Sequence, residues 1–149
     1  MRIFLSLALC CGLVASAYAG EFGTPEEAQA MVKKAVAHIQ SVGPDKAYAD
    51  FTAKKPEFVD RDLYVFVNKM DGSAIAHGAN EKIVGKNMIE LKDPDGKAFI
   101  REIAEKAKTQ NNFSVDYKFT DPVTKKVLPK TIFCEKLNDT TVCSGVYKR

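Results

Sequence analysis

Tryptophan is absent from the 149 residues, and histidine occurs twice, at His38 and His77. Two imidazoles on separate segments cannot build a multi-histidine metal centre. A charge of one sign is lacking too: 22 basic residues against 19 acidic ones leave a formal net charge of +3. The pairs Lys33-Lys34, Lys54-Lys55 and Lys125-Lys126 are dispersed as on a solvated surface, so nucleic acid is not an expected partner. Catalytic frames are also missing. There is no G-x-S-x-G, no H-E-x-x-H, no phosphate loop and no paired-carboxylate frame, so neither enzymatic activity nor a cofactor is expected. Repeats and low-complexity linkers are absent, and with 46% hydrophobic and 28% charged residues the chain reads as one globular domain.

Long apolar runs are scarce. The one that stands out, Ile3 to Val14, is broken by Ser6 and Gly12. It follows Met1-Arg2 and leads into Ala17-Tyr18-Ala19-Gly20, the three-part pattern of a secretory signal cut after Ala19. It is shorter than the ~20 residues that span a bilayer, the rival reading being an N-terminal anchor helix. Leu9 stands before Cys10 where a lipobox wants a small residue, which argues against lipidation. Residues 1–19 are therefore expected to be a signal peptide, and 20–149 a single domain, periplasmic or secreted, with no membrane insertion of the mature chain.

Cysteine is also sparse. Removing the signal leaves Cys134 and Cys143. Thr131-Ile132-Phe133 and Thr140-Thr141-Val142 are strand-like, and Asn138-Asp139 between them is a turn signal. With a two-residue loop, Leu137 faces Thr140, and counting outward Cys134 faces Cys143 on a non-hydrogen-bonded pair. There Cα atoms approach to ~4.5 Å, within disulfide range. The alternative is two buried thiols. Nothing in this spacing suggests redox or zinc chemistry.

What is present has clear punctuation. Thr24-Pro25-Glu26-Glu27 combines an N-cap, a first-turn proline and a capping box. Ala28, Met31, Val32, Ala35, Val36 and Ile39 then recur at helical spacing, and Gly43-Pro44 ends the helix. A short helix follows from Lys46 to Phe51. Leu63 to Val67 reads as a buried strand, Met70-Asp71-Gly72 as a turn, and Ser73 to His77 as a returning strand. A loop with Gly78 and Gly85 precedes a helix expected from Pro94 or Asp95 to about Thr109, with Phe99, Ile100, Ile103, Ala104 and Ala107 on one face. Strands at Ser114–Phe119, Lys126–Leu137 and Thr141–Tyr147 complete a meander. Adjacent antiparallel strands with segregated helices mean α+β. Asp93-Pro94-Asp95-Gly96 invites a calcium reading, but position twelve of that loop is Ala104 rather than glutamate, so it is expected to be a turn.

Several stretches taken together resemble the single Cache domain, type 2. They are Asp62-Leu63-Tyr64-Val65-Phe66-Val67, Asp71-Gly72, Ala76-His77-Gly78, Val84-Gly85-Lys86-Asn87 and Asp93-Pro94-Asp95-Gly96-Lys97. Val115-Asp116-Tyr117, Lys130-Thr131-Ile132-Phe133 and Ser144-Gly145-Val146-Tyr147 continue the pattern, which runs from Thr24 onward. The resemblance implies an extracytoplasmic PAS-like antiparallel five-stranded sheet with a long N-terminal helix and a helix between strands 2 and 3. It also implies a pocket for a small molecule, often an organic acid, in a protein that works with a membrane receptor or sensor.

Register arithmetic points to where that pocket would lie. Lys130 faces Tyr147 across the last hairpin, and faces Tyr117 if the preceding turn centres on Val123-Thr124. A lysine in a mostly apolar row is costly to bury unless an anion meets it. One reading is a carboxylate receptor; the other is a lysine laying its stem on the tyrosines with its head in water. An even-length loop at Asp71-Gly72 puts His77 on the face of Tyr64 and Phe66, whereas an odd length reverses it. His77 is either a pocket donor or a structural histidine. The expectation is that Lys130 and Tyr117 hold the anionic end of a ligand, His77 and Tyr64 close the opposite side, and Phe66 supplies apolar wall. A rival reading is a protein-interaction adaptor that docks a membrane sensor without a small ligand.

Overall fold

The computed structural model describes residues 20–149, so the expected signal peptide falls outside the described residues. Helix α1 spans Pro25–Val42; Thr24 and Glu27 form the full capping box, and all six residues of the apolar stripe are buried. Gly43, at φ 87°, takes a left-handed turn that side chains resist, and α2 follows at Pro44–Thr52. Strands β1 (Val59–Asp60) and β2 (Leu63–Tyr64) form a two-stranded ribbon. The other strands are β3 (Phe66–Lys69), β4 (Ala74–His77), β5 (Asn112–Thr120), β6 (Val127–Leu137) and β7 (Thr140–Tyr147). They form one antiparallel sheet in the order β4-β3-β7-β6-β5. Helix α3, Phe99–Ala107, lies in sequence between β4 and β5. The α+β, PAS-like arrangement is as expected.

Two details differ. The expected strand Leu63–Val67 is split at Val65, whose amide donates to Phe58 O and whose carbonyl accepts from Gly78 N. Helix α3 begins at Phe99 rather than Pro94 or Asp95. Asp93 explains this: its Oδ1 accepts from the amides of Asp95 and Lys97, while Gly96 sits at φ 83°. These bonds make residues 93–97 a turn. Asp93 Oδ2 also accepts from Lys118 N, pinning that turn to β5.

The sheet separates two cores. On one side α1 and α2 cover Val65, Val67, Ala76, Val142 and Val146. On the other, α3 covers Tyr64, Phe66, Tyr117, Ile132, Tyr147 and the Cys134–Cys143 disulfide. The cysteines oppose each other in the β6–β7 register with Cα atoms 4.2 Å apart, as the hairpin count requires. Gly145 is needed beside them, because a Cβ there would lie 2.3 Å from Thr131 O and 2.6 Å from Ile132 Cα.

Candidate functional site

The register places Tyr117, Lys130 and Tyr147 in one row across β5, β6 and β7. His77 reaches the same face by a route the sequence count did not foresee. Lys69 and Ser73 bond across a three-residue loop, an odd length that alone would turn His77 away. A bulge at Ile75 adds one residue to β4 and restores Phe66 opposite His77. Ile75 and Ala76 accordingly both pack toward the helical core, and His77 points to the other side. All five expected residues, Tyr64, Phe66, His77, Tyr117 and Lys130, therefore converge on the α3 face.

Lys130 is 1% exposed, too deep for its head to reach water. Its Nζ donates to Tyr64 Oη at 2.7 Å. It stands 4.1 Å from the Tyr64 ring centre, 4.8 Å from Tyr147, 5.6 Å from Phe66 and 5.8 Å from Phe119. Ring faces attract a cation, but they replace only part of its lost hydration. Burial lowers the Lys130 pKa to about 7, against the pull of the Asp62 and Asp121 carboxylates in the other direction. Those carboxylates are fully buried and committed to Arg149, at 3.0 and 2.7 Å. Tyr64 Oη also meets Tyr147 Oη at 3.2 Å, and Tyr147 donates to Thr120 O. Tyr64 was expected across the pocket from Lys130; instead it is the lysine's hydrogen-bond partner.

His77 is held from its own loop. Its Nδ1 accepts from the amides of Ala79 and Asn80 at 3.2 and 3.0 Å, which leaves the ring proton on Nε2. Burial, then the Lys130 charge, lower its pKa to about 3, so the ring is a neutral donor at neutral pH. It lies over Phe66 and beside Tyr64. Tyr117 stacks flat on Phe99, ring centres 4.1 Å apart, and burial raises its pKa well above the usual phenol value.

Between these side chains and the cover formed by Met88, Leu91 and Ile100 lies a small cavity of about 20 Å³. That space admits about one water molecule. Its polar lining includes His77 and Asn68, and Asn68 is 4% exposed with Nδ2 unpaired. No metal-holding cluster of His, Cys, Asp and Glu occurs among the described residues. The polar groups lining this space are the Tyr117 phenol, the His77 imidazole and the Asn68 amide, and the Lys130 ammonium stands 5.6 Å from the centre of the Phe66 ring that lines it, chemistry suited to a small anion rather than a cation.

The sequence reading missed Asn68, although two-residue alternation from Tyr64 and Phe66 leads to it; the strand had been ended at Val67. It also missed Asp62, Asp121 and Arg149, whose pairing joins positions far apart in sequence and has no local signal.

The chain is 29% identical over 90 residues to the methyl-accepting chemotaxis protein McpP of Pseudomonas putida, covering 59% of this chain and 16% of that protein. It is 32% identical over 123 residues to the sensor histidine kinase MctS of Rhizobium johnstonii, covering 76% and 26%. It thus spans no more than 26% of the length of these curated relatives. Among solved structures, a Cache chemosensory domain studied for carboxylic acid recognition superposes with a TM-score of 0.72 at 21% identity, covering 83% of this chain and 92% of that one. At that identity the likeness speaks for the fold. Residues 14–148 match the family model described as single Cache domain 2, a range that takes in both cores and Tyr64, Phe66, His77, Tyr117 and Lys130, and the chain belongs to that family.

Proposed function

We propose that this chain is an exported sensory domain that reversibly binds a small carboxylate at Lys130. One observation carries the reading: a buried lysine held in a cage of aromatic rings, with its neighbouring carboxylates already committed to Arg149. An anion at Nζ would supply the missing counter-charge. Lys130 and Tyr117 hold the carboxylate, the His77 Nε2 proton adds a hydrogen bond, Tyr64 positions the Lys130 ammonium, and Phe66 supplies apolar wall. The carboxylic acid recognised by the structurally similar Cache domain supports this ligand class. Residues 1–19 act as a signal peptide and deliver the domain to the periplasm or outside. There a membrane receptor or sensor reads its state, in keeping with the receptor and kinase relatives.

The free space of about 20 Å³ is too small for an acid, so entry requires the cover between β4 and α3 to shift. The same closure favours a second reading, an adaptor that docks a sensor without a ligand.

A melting-temperature screen against short carboxylates separates the two. A ligand at 100 times its dissociation constant adds about 2.7 kcal/mol, whereas an adaptor gives no response to any acid. In the carboxylate reading Lys130→Met weakens the best acid roughly ten- to a hundred-fold, the worth of a charge-assisted contact of about 1.5–3 kcal/mol. Because the charged lysine is the binding form, affinity for that acid also falls as pH rises above about 7. An unchanged affinity in Lys130→Met would remove Lys130 from the site.

A further inference from the structure

The lysine cage does not account for Asn68. This residue is 4% exposed and its Nδ2 has no hydrogen-bond partner, the single such side-chain atom among the described residues. A buried, unpaired amide is costly, and native structures keep few of them. Asn68 is not isolated in an apolar wall; it lines the same cavity as Phe66, His77 and Tyr117. It lies on β3 two residues beyond Phe66, on the same face, and therefore roughly 6.5–7 Å further along the strand. Lys130 Nζ stands 5.6 Å from the Phe66 ring centre. Asn68 thus puts an unmet amide donor on the cavity beside Phe66, and the Lys130 ammonium stands close to that same ring without itself lining the space.

We propose that Asn68 Nδ2 donates to a second acceptor on the ligand, so that the ligand is a carboxylate bearing an oxo group distant from its acid end. This rests on the carboxylate reading of Lys130. The donors are at most roughly 12 Å apart on this count, and a hydrogen bond occupies ~3 Å at each end. The two acceptors then stand no more than about 6 Å apart, within reach of an acid of four or five carbons whose oxo group is on the third or fourth. A plain fatty acid of that length fills the same space and leaves the amide unmet.

Isothermal titration with two matched pairs tests this: butanoate against 3-oxobutanoate, and pentanoate against 4-oxopentanoate. The parent protein is expected to prefer the oxo acid of at least one pair by five-fold or more. In Asn68→Leu that ratio falls to about one, because the amide donor is gone while the volume is kept. Asn68→Ala makes the same comparison if leucine distorts the strand. A merely structural role for Asn68 would weaken both acids together and leave the ratio intact, which overturns the proposal. A parent with no preference in either pair also overturns it, the amide then being met by a water molecule. Lys130→Met separates the two levels of the argument: both acids weaken together if the carboxylate reading holds. If neither acid weakens in that variant, the carboxylate reading fails, and the second-acceptor proposal fails with it.

Discussion

The two faces of the sheet are built from different chemistry. The face under α1 and α2 is aliphatic, with Val65, Val67, Ala76, Val142 and Val146 meeting Ala28, Val32, Ala35, Val36 and Ile39. The face under α3 buries a lysine, a histidine and an asparagine among aromatic rings. Only the first is what burial of apolar area selects for by itself. The second holds groups whose desolvation opposes folding, which is expected where a surface is kept for binding rather than for stability. Removing an apolar group from the first face and the buried charge from the second should therefore change stability with opposite signs.

The largest effect is expected on the helical face. Phe51 is fully buried there and meets Phe58 edge-on at 4.7 Å. Phe51→Ala should cost about 3–5 kcal/mol in urea unfolding, since the cavity it leaves adds to the lost transfer energy. A smaller loss from an equivalent aliphatic truncation than from any polar change opposite would break the comparison.

On the α3 face, Lys130→Met should instead stabilise the empty protein at neutral pH and below. The folded-state pKa of Lys130 is about 7, below the ordinary 10.5, so between those values the unfolded chain holds the extra proton. Stability of the parent therefore rises with pH across that window, by something on the order of 3–5 kcal/mol for full transfer. Above pH 10 the sign reverses. Burial raises the pKa values of Tyr64, Tyr117 and Tyr147, so the folded state then keeps protons that the unfolded chain has lost. Thermal melts of parent and Lys130→Met from pH 6 to 10 check this: the variant should show a flat profile where the parent climbs.

The smallest of these effects comes from the disulfide. Cys134–Cys143 closes a short loop with a sequence separation of 9. Its removal in the double alanine variant should cost about 2–3 kcal/mol in the chain-entropy model. Because Cys134 and Cys143 pack in the α3-face core, acid binding should weaken along with stability; an unchanged affinity would separate that core from the pocket.

The sequence disclosed these two faces unequally. The helical stripe from Ala28 to Ile39 and the hairpin opposing Cys134 and Cys143 follow from local periodicity and turn length, so both were legible. The Tyr117–Lys130–Tyr147 row needed only the same counting continued. The Lys130–Tyr64 bond was out of reach because it joins residues 66 positions apart on strands that are not neighbours. Asn68 is hidden because a polar residue after the apolar run Leu63 to Val67 reads as the end of a strand that in fact continues to Lys69, and the Asp93 side-chain bonds that delay α3 leave no mark in hydrophobic spacing.

The hairpin between β3 and β4 has a consequence for sequence change. Its three-residue loop and the bulge at Ile75 are each odd, and in the count from Phe66 to His77 the two cancel. Loss of one residue from Met70–Gly72 is taken up by a two-residue turn between Lys69 and Ser73, and loss of Ile75 simply removes the bulge; in both cases Phe66 still opposes His77. The hairpin is therefore buffered against changes of length: single insertions and deletions are absorbed at the exposed turn or at the bulge, and the direction of His77 is kept.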